Sequence, residues 1–402
     1  MFDQLPDNMK VTQFENGVRV VTSKMPVQSA ALGVWIKVNG QAGDKSQAGY
    51  LHFLENILFK GWGQALAGEF EAMGGQVNAR TGRELFVLHG LVPGDDCAKL
   101  LALFVGMLLW PCFDEHDVER ERRVILREME YILQSGQSIE ECVMEQIWPE
   151  SPIGWPILGY PENIQNVSAD MMQTYLQNIL QGGQICVVAT GDVEHEAIVN
   201  GCYALAGLPD GKSHMPKEAE FVPGAYDKMP GGNQTQLMWL LPLPAYGEQP
   251  TADYVMADNI LAGSMVSRLY QHLRQRSGTV YDIQSRLELF SSMGNWIIKI
   301  QCHRKNVREC LNTVEQKVAD LIENGPTGQE LIVALDKVRA GLIIEDSDVK
   351  TRMERLGQDM LYLNRLRTLE ERLQQVSRVS VVNIQHAVNT AWSQKAVVRW
   401  DY

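Results

Sequence analysis

Residues 207 to 224, GLPDGKSHMPKEAEFVPG, are rich in Pro, Gly and charge with no periodic apolar face, and the same grammar of strands and helices is written on either side of them. This repetition constrains the chain more than any other feature. At 402 residues it exceeds one ordinary core and suits two domains of about 200 residues each. The expected organisation is an N-terminal domain over 1–208, a linker over 209–224 and a C-terminal domain over 225–402. An internal duplication is plausible, although no crisp repeated motif marks it.

In the first half, VTQFENGVRVVTS and AALGVWIKVNGQAG read as two strands joined near Pro26, followed by a nearly all-apolar helix over 47–60. GEFEAMGG closes a second helix on a glycine pair before the strand-like QVNARTGRELFVLHGLV; a Gly-Gly that leads into a strand is not a phosphate loop opening a helix. Helical periodicity fills 95–148, and a helix near 168–181 precedes the strand ICVVATGD. The second half reads as strand TQLMWLLPLP, helices over 251–276, strands TVYDIQSRLELF and NWIIKIQCHR, long helices to about 390 and a last strand KAVVRW. Within it Gly325 and Pro326 stop one helix, and Thr327 with Glu330 starts the next in capping-box spacing. Strands adjacent in sequence imply an α+β class with mainly antiparallel sheets.

Composition narrows the function classes. Apolar residues make up 45% and charged residues 21%, and no stretch of 18 residues is apolar throughout, as spanning a bilayer requires. MFDQLPDNMK has neither a signal peptide's basic flank and apolar core nor a presequence's Arg-rich character, so a cytoplasmic location without membrane attachment is expected. Seven scattered cysteines without a C-x-x-C pair read as small buried hydrophobes in a reducing compartment. A net charge of -13 opposes nucleic-acid binding and suits basic or neutral peptide partners.

Within the apolar helix AGYLHFLENILFKG, His52, Glu55 and Asn56 stand at i, i+3 and i+4 and project from one face with Ala48 and Phe59. A buried carboxylate there must be paired, protonated or near a metal. A core His bonded to a core Glu is the plain alternative, and for a lone H-x-x-E it is preferred. A second helix, DEHDVERERRVILREMEYIL, shifts the balance. Its wheel groups Val118, Val124, Ile125, Met129, Ile132 and Leu133 on one arc, with Glu121 and Glu128 inside it. Two carboxylates on an apolar face need a cation to meet, and a metal held by the first helix would serve.

AGYLHFLENILFKG resembles the inverted zinc motif H-x-x-E-H of the pitrilysin, insulin-degrading and mitochondrial processing peptidases, the inverzincins. EAMGGQVNARTGREL resembles that family's GG-x-x-NA-x-T strand, ERRVILRE its E-x6-E helix, and RLYQHLRQRSGTVYDI its Arg and Tyr signature; the four motifs stand in family order over most of the chain. The resemblance implies two similar α/β sandwich domains, each a mainly antiparallel sheet with helices packed on it, forming half of a clamshell chamber. It makes His52 the first zinc ligand, Glu55 the general base on the zinc-bound water, position 56 the second ligand and Glu128 the third, with Glu121 orienting a ligand. It makes Arg274 and Tyr281 the pair that holds substrate opposite a working zinc, and Asn78 and Ala79 part of a strand that accepts an extended peptide by edge pairing.

Position 56 departs from the motif. An amide oxygen is a neutral, weak donor where zinc favours imidazole, thiolate or carboxylate, so zinc is expected to bind weakly or not at all in this chain, against one ion per intact site. Two hypotheses follow: a non-catalytic partner that lends Arg274 and Tyr281 to a homologous subunit with an intact site, or a homodimeric zinc peptidase with an unusual or engineered ligand at Asn56. A pure scaffold is a third. His116 and His195 lie beside acids without a second ligand at metal spacing and read as surface or capping residues, as does His272 on its helix.

Overall fold

A computed structural model describes residues 5–38, 44–61, 63–135, 139–149, 151–211, 220–228 and 231–402. Half of the expected linker, residues 212–219, lies outside the described residues. The strands are β1 (Met9–Gln13), β2 (Arg19–Lys24), β3 (Ser29–Lys37), β4 (Gln76–Thr81), β5 (Leu85–Pro93), β6 (Ile185–Gly191), β7 (Gly224–Lys228), β8 (Gln234–Leu243), β9 (Val280–Leu289), β10 (Gly294–His303) and β11 (Ala396–Asp401). The helices are α1 (Tyr50–Gly61), α2 (Gly63–Ala72), α3 (Cys97–Leu109), α4 (Glu115–Ser135), α5 (Ile139–Ile147), α6 (Pro161–Gln165), α7 (Ala169–Ile179), α8 (His195–Gly201), α9 (Thr251–Leu261), α10 (Val307–Asn324), α11 (Gly328–Ser347), α12 (Val349–Leu363), α13 (Leu369–Ser377) and α14 (Val381–Trp392).

The chain divides into two units. The first holds Met1–Glu145, Glu150–Lys217 and Glu345–Arg367 around a six-stranded sheet of order β1-β2-β6-β3-β5-β4, antiparallel except for β2 beside β6. VTQFENGVRVVTS, expected as one strand, is a hairpin: Phe14 N–H bonds Val18 O (2.8 Å) across the turn at Gly17. QVNARTGRELFVLHGLV likewise breaks into the β4–β5 hairpin. Both turns interrupt runs whose alternation continues on either side, which is why periodicity alone merged them.

β3 is apolar almost throughout because both of its faces are covered. Leu32, Val34 and Ile36 pack with Phe53, Leu54 and Ile57 of α1 and with Leu101 and Phe104 of α3. Ala31 and Trp35 face the other way, against Met353, Leu356 and Met360 of α12. α12 seats closely because Gly33 and Gly357 leave room for the Trp35 ring, which a Cβ at either position would meet. Thr190 Oγ1 donates to Val349 O (2.6 Å), and buried Arg19 donates through Nη1 to Met360 O (3.0 Å). A linear division at 209–224 leaves this helix with the second half, whereas the tertiary packing groups it with the first.

The second unit holds Gln146–Pro149, Glu218–Ile344 and Thr368–Tyr402 around a five-stranded sheet of order β7-β11-β8-β10-β9, antiparallel except for β7 beside β11. Trp239, Leu241, Trp296 and Ile298 are buried there with apolar residues of α9, α10 and α14. With β2, β6, β3, β5 and β4 matched in turn to β7, β11, β8, β10 and β9, strand order and directions coincide in the two sheets. The duplication is therefore visible in topology. α1 and α9 then occupy equivalent places, and their residues match at Glu55-Asn56-Ile57-Leu58 and Asp258-Asn259-Ile260-Leu261.

Of the cysteines, none bridged, five are buried; Cys142 is half-buried and Cys112 is exposed, unlike the expectation for both.

Candidate functional site

α1 turns Tyr50, Phe53, Leu54, Ile57 and Leu58 into the core, the 3.6-residue spacing of an inward stripe. His52, Glu55 and Asn56 share the adjoining half-buried face, as their spacing requires. The His52 Nδ1 atom is buried with no hydrogen-bond partner among the described residues. α4 packs against α1 and buries Val118, Glu121, Ile125 and Met129. Two residues that the helical wheel groups with them, Val124 and Glu128, are exposed. Glu128 lies two turns, roughly 10 Å, along α4 from Glu121, and the cover over Glu121 does not extend to it.

Glu121 does meet a cation. Its side chain is 2% exposed and ion-paired to the ammonium of Lys60 in the last turn of α1. Lys60 was not singled out from the sequence, although it is the only Lys or Arg in the apolar helix. Among the described residues no three His, Cys, Asp or Glu side chains converge as a metal-binding group, and the intervening position of α1 is the neutral amide of Asn56.

Among the described residues β4 forms one edge of its sheet and pairs with β5 alone. Ala79 is buried on the side facing α1, where Thr81 Oγ1 donates to Leu51 O (3.4 Å), and Asn78 is exposed. On the opposite side Arg80 lies over the Trp35 ring at 5.7 Å. His89 pairs across the ladder with Asn78, and its pKa is pushed down to about 4 by burial and by the nearby Lys350 and Arg80 charges.

In the second unit a π-helical turn, Tyr270–Arg276, carries Arg274 just before the edge strand β9, whose second residue is Tyr281. Gly278 takes φ +61°, Thr279 N–H bonds Leu273 O (3.0 Å), and Arg274 Nη1 donates to Val280 O (3.1 Å). Arg274 and Tyr281 are thus brought to one end of one edge strand, both exposed. His272 is half-buried on the same turn. His195 begins α8 with its ring between Thr12 Oγ1 and Thr22 Oγ1, both at 2.8 Å, a tie between helix and sheet.

Two family models match the chain in succession: the insulinase model (peptidase family M16) over residues 19–160 and the peptidase M16 inactive-domain model over 166–338. The chain belongs to the insulinase family of peptidases. Relatives described as zinc proteases resemble it along nearly their whole length. An uncharacterized zinc protease of Bacillus subtilis is 24% identical over 381 residues, covering 92% of each chain, and one of Rickettsia felis is 24% identical over 405 residues, covering 97% of this chain and 96% of its own. Two solved structures share the fold. The peptidase M16 inactive domain from Pseudomonas fluorescens superimposes with a TM-score of 0.86 at 20% identity, covering 98% of this chain and 97% of its own. A protease from Helicobacter pylori does so with a TM-score of 0.87 at 16% identity, covering 98% and 99%. No helix among the described residues is long and apolar enough to cross a membrane.

Proposed function

We propose that this chain is a non-catalytic subunit of an insulinase-type zinc peptidase, acting on unfolded peptides inside a closed chamber made with a homologous subunit whose H-x-x-E-H site is intact. The observation that carries this reading is the acid-Asn-Ile-Leu stretch shared by α1 and α9. In α9 the residue aligned with His52 is Val255, and the acid, Asp258, is buried and hydrogen-bonded to Ser285 and to Trp296 Nε1. That helix has a packing role. At position 56 the first domain carries the residue of its non-catalytic counterpart, and this favours a helix relieved of metal binding.

Hydrolysis then belongs to the partner's centre, and this chain supplies binding. Arg274, exposed in the turn before β9, and Tyr281, exposed at the start of that strand, would donate hydrogen bonds to a peptide carbonyl. The β4 edge offers main-chain pairing to an extended peptide, which gives affinity without demanding a sequence. A second reading, a homodimeric enzyme in which Asn56 ligates, is favoured by the unpartnered His52 Nδ1 and by the retention of Glu55, Glu121 and Glu128. Purification of the complex from its native source, with subunit composition and zinc measured together, separates these readings. The expected result is two different chains with zinc on the other one. One tightly held zinc per copy of this chain, with peptide cleavage by the chain alone, would reject the proposal in favour of the homodimer. A partnered complex that binds no peptide would leave a scaffold.

A further inference from the structure

The open edge of β4 is not bare. Ala79 N–H donates to Asn78 Oδ1 at 2.9 Å, a bond from one residue's main chain to its neighbour's side chain. In an antiparallel ladder, successive N–H groups turn alternately toward the paired strand and away from it. Ala79 sits opposite Leu88 in the register but bonds the Asn78 amide, so its N–H is on the side away from β5, where no further strand lies among the described residues. It is the donor that an added strand would need.

We infer that Asn78 is a guard on the peptide-binding edge: its side chain occupies the Ala79 N–H until an incoming peptide carbonyl displaces it. The inference rests on the strand-addition reading above and goes beyond it, because it assigns the Asn78 side chain a role that opposes binding. Unguarded edge strands template pairing with other chains, and native sheets blunt them with side-chain devices. Asn suits the task, since a short side-chain carbonyl can satisfy a nearby N–H without leaving the strand. A buried or half-buried N–H without a partner is costly, so the free edge gains from the contact. Once a peptide carbonyl takes the N–H, the exposed Asn78 amide returns to water at little cost.

The test is binding of a short, end-capped, fluorescein-labelled peptide of alternating Thr and Val to the purified chain and to two variants of known melting temperature. Asn78→Ala is expected to bind about three- to tenfold more tightly, the size of one net hydrogen bond no longer broken. Ala79→Pro removes the outward N–H at an edge position that tolerates proline, and it is expected to bind more weakly. The same peptide N-methylated along its backbone gives a second readout that needs no protein variant. Unchanged or weaker binding by Asn78→Ala overturns the guard. If Ala79→Pro and N-methylation leave affinity untouched, strand addition itself fails. If they reduce it while Asn78→Ala does not raise it, only the guard fails.

Discussion

Two ionisable residues near α1 and β4 are set by their neighbours. His89 is held neutral in the fold, with a pKa of about 4 against an ordinary value of 6.5, by burial and by Lys350 and Arg80. As pH falls below 6.5 the unfolded chain takes up this proton first, so stability is lost progressively down to about pH 4 and no further below it. His195, lowered chiefly by burial, acts in the same direction. Substitution His89→Gln is expected to flatten part of the acid limb, read as urea midpoints at pH 7 and pH 4.5. An unchanged slope would show that the imidazole does not cause it. Glu121 is a different case, a buried carboxylate ion-paired with Lys60. Removing one partner of such a pair strands the other, so Lys60→Met is expected to cost about 3 kcal/mol, with Glu121→Gln restoring part of it in the double variant. Equal urea midpoints for Lys60→Met and the parent would remove this pair from the stability argument. At this scale the sequence was informative about residue type: Glu121 needed a cation, and the pattern said so. It did not say that an ammonium eight positions after His52 would provide one, because side-chain reach between helices is absent from a one-helix wheel.

At the scale of elements, periodicity identified α1, α4 and the long helices of the second half, and the capping box at Thr327 formed as its spacing required, with Glu330 N–H to Thr327 Oγ1 at 3.2 Å. Hairpins were the element type that periodicity missed. α12 was legible as a helix, but its docking depends on two glycines far apart in sequence. Substitution Gly357→Ala places a methyl in the Trp35 ring, and Trp35 is already wedged against Met353 and the sheet. Overpacking of this kind typically costs about 1–3 kcal/mol, and a loss of that size is expected in denaturant unfolding of the full chain. A neutral result would mean that α12 can shift outward without penalty.

At the scale of the molecule, 345–367 returns to the first unit after the chain has begun the second. Val21, Ala31, Trp35, Val87 and Val188 therefore depend on residues more than 150 positions away for their cover. A fragment of residues 1–208 is expected to leave this apolar face open and to aggregate, and added peptide 345–367 is expected to raise its solubility. Cooperative unfolding of a monomeric 1–208 fragment, unaided, would contradict that dependence. The repeated grammar of the two halves was readable from the order of strands and helices. The equivalence of α1 and α9 was not, because Glu55-Asn56-Ile57-Leu58 and Asp258-Asn259-Ile260-Leu261 are too short to stand out until topology aligns them.

The sequence by itself determined the element types, the two-part organisation and the family, because propensity, alternation and ordered motifs are local properties of the chain. It also determined that position 56 holds an amide in place of an imidazole. Only the tertiary structure decided that Lys60 neutralises Glu121, that Glu128 remains exposed, that α12 covers the first sheet and that the Ala79 N–H is held by Asn78. Each of these depends on which groups the fold brings within a few ångströms of one another or leaves to water.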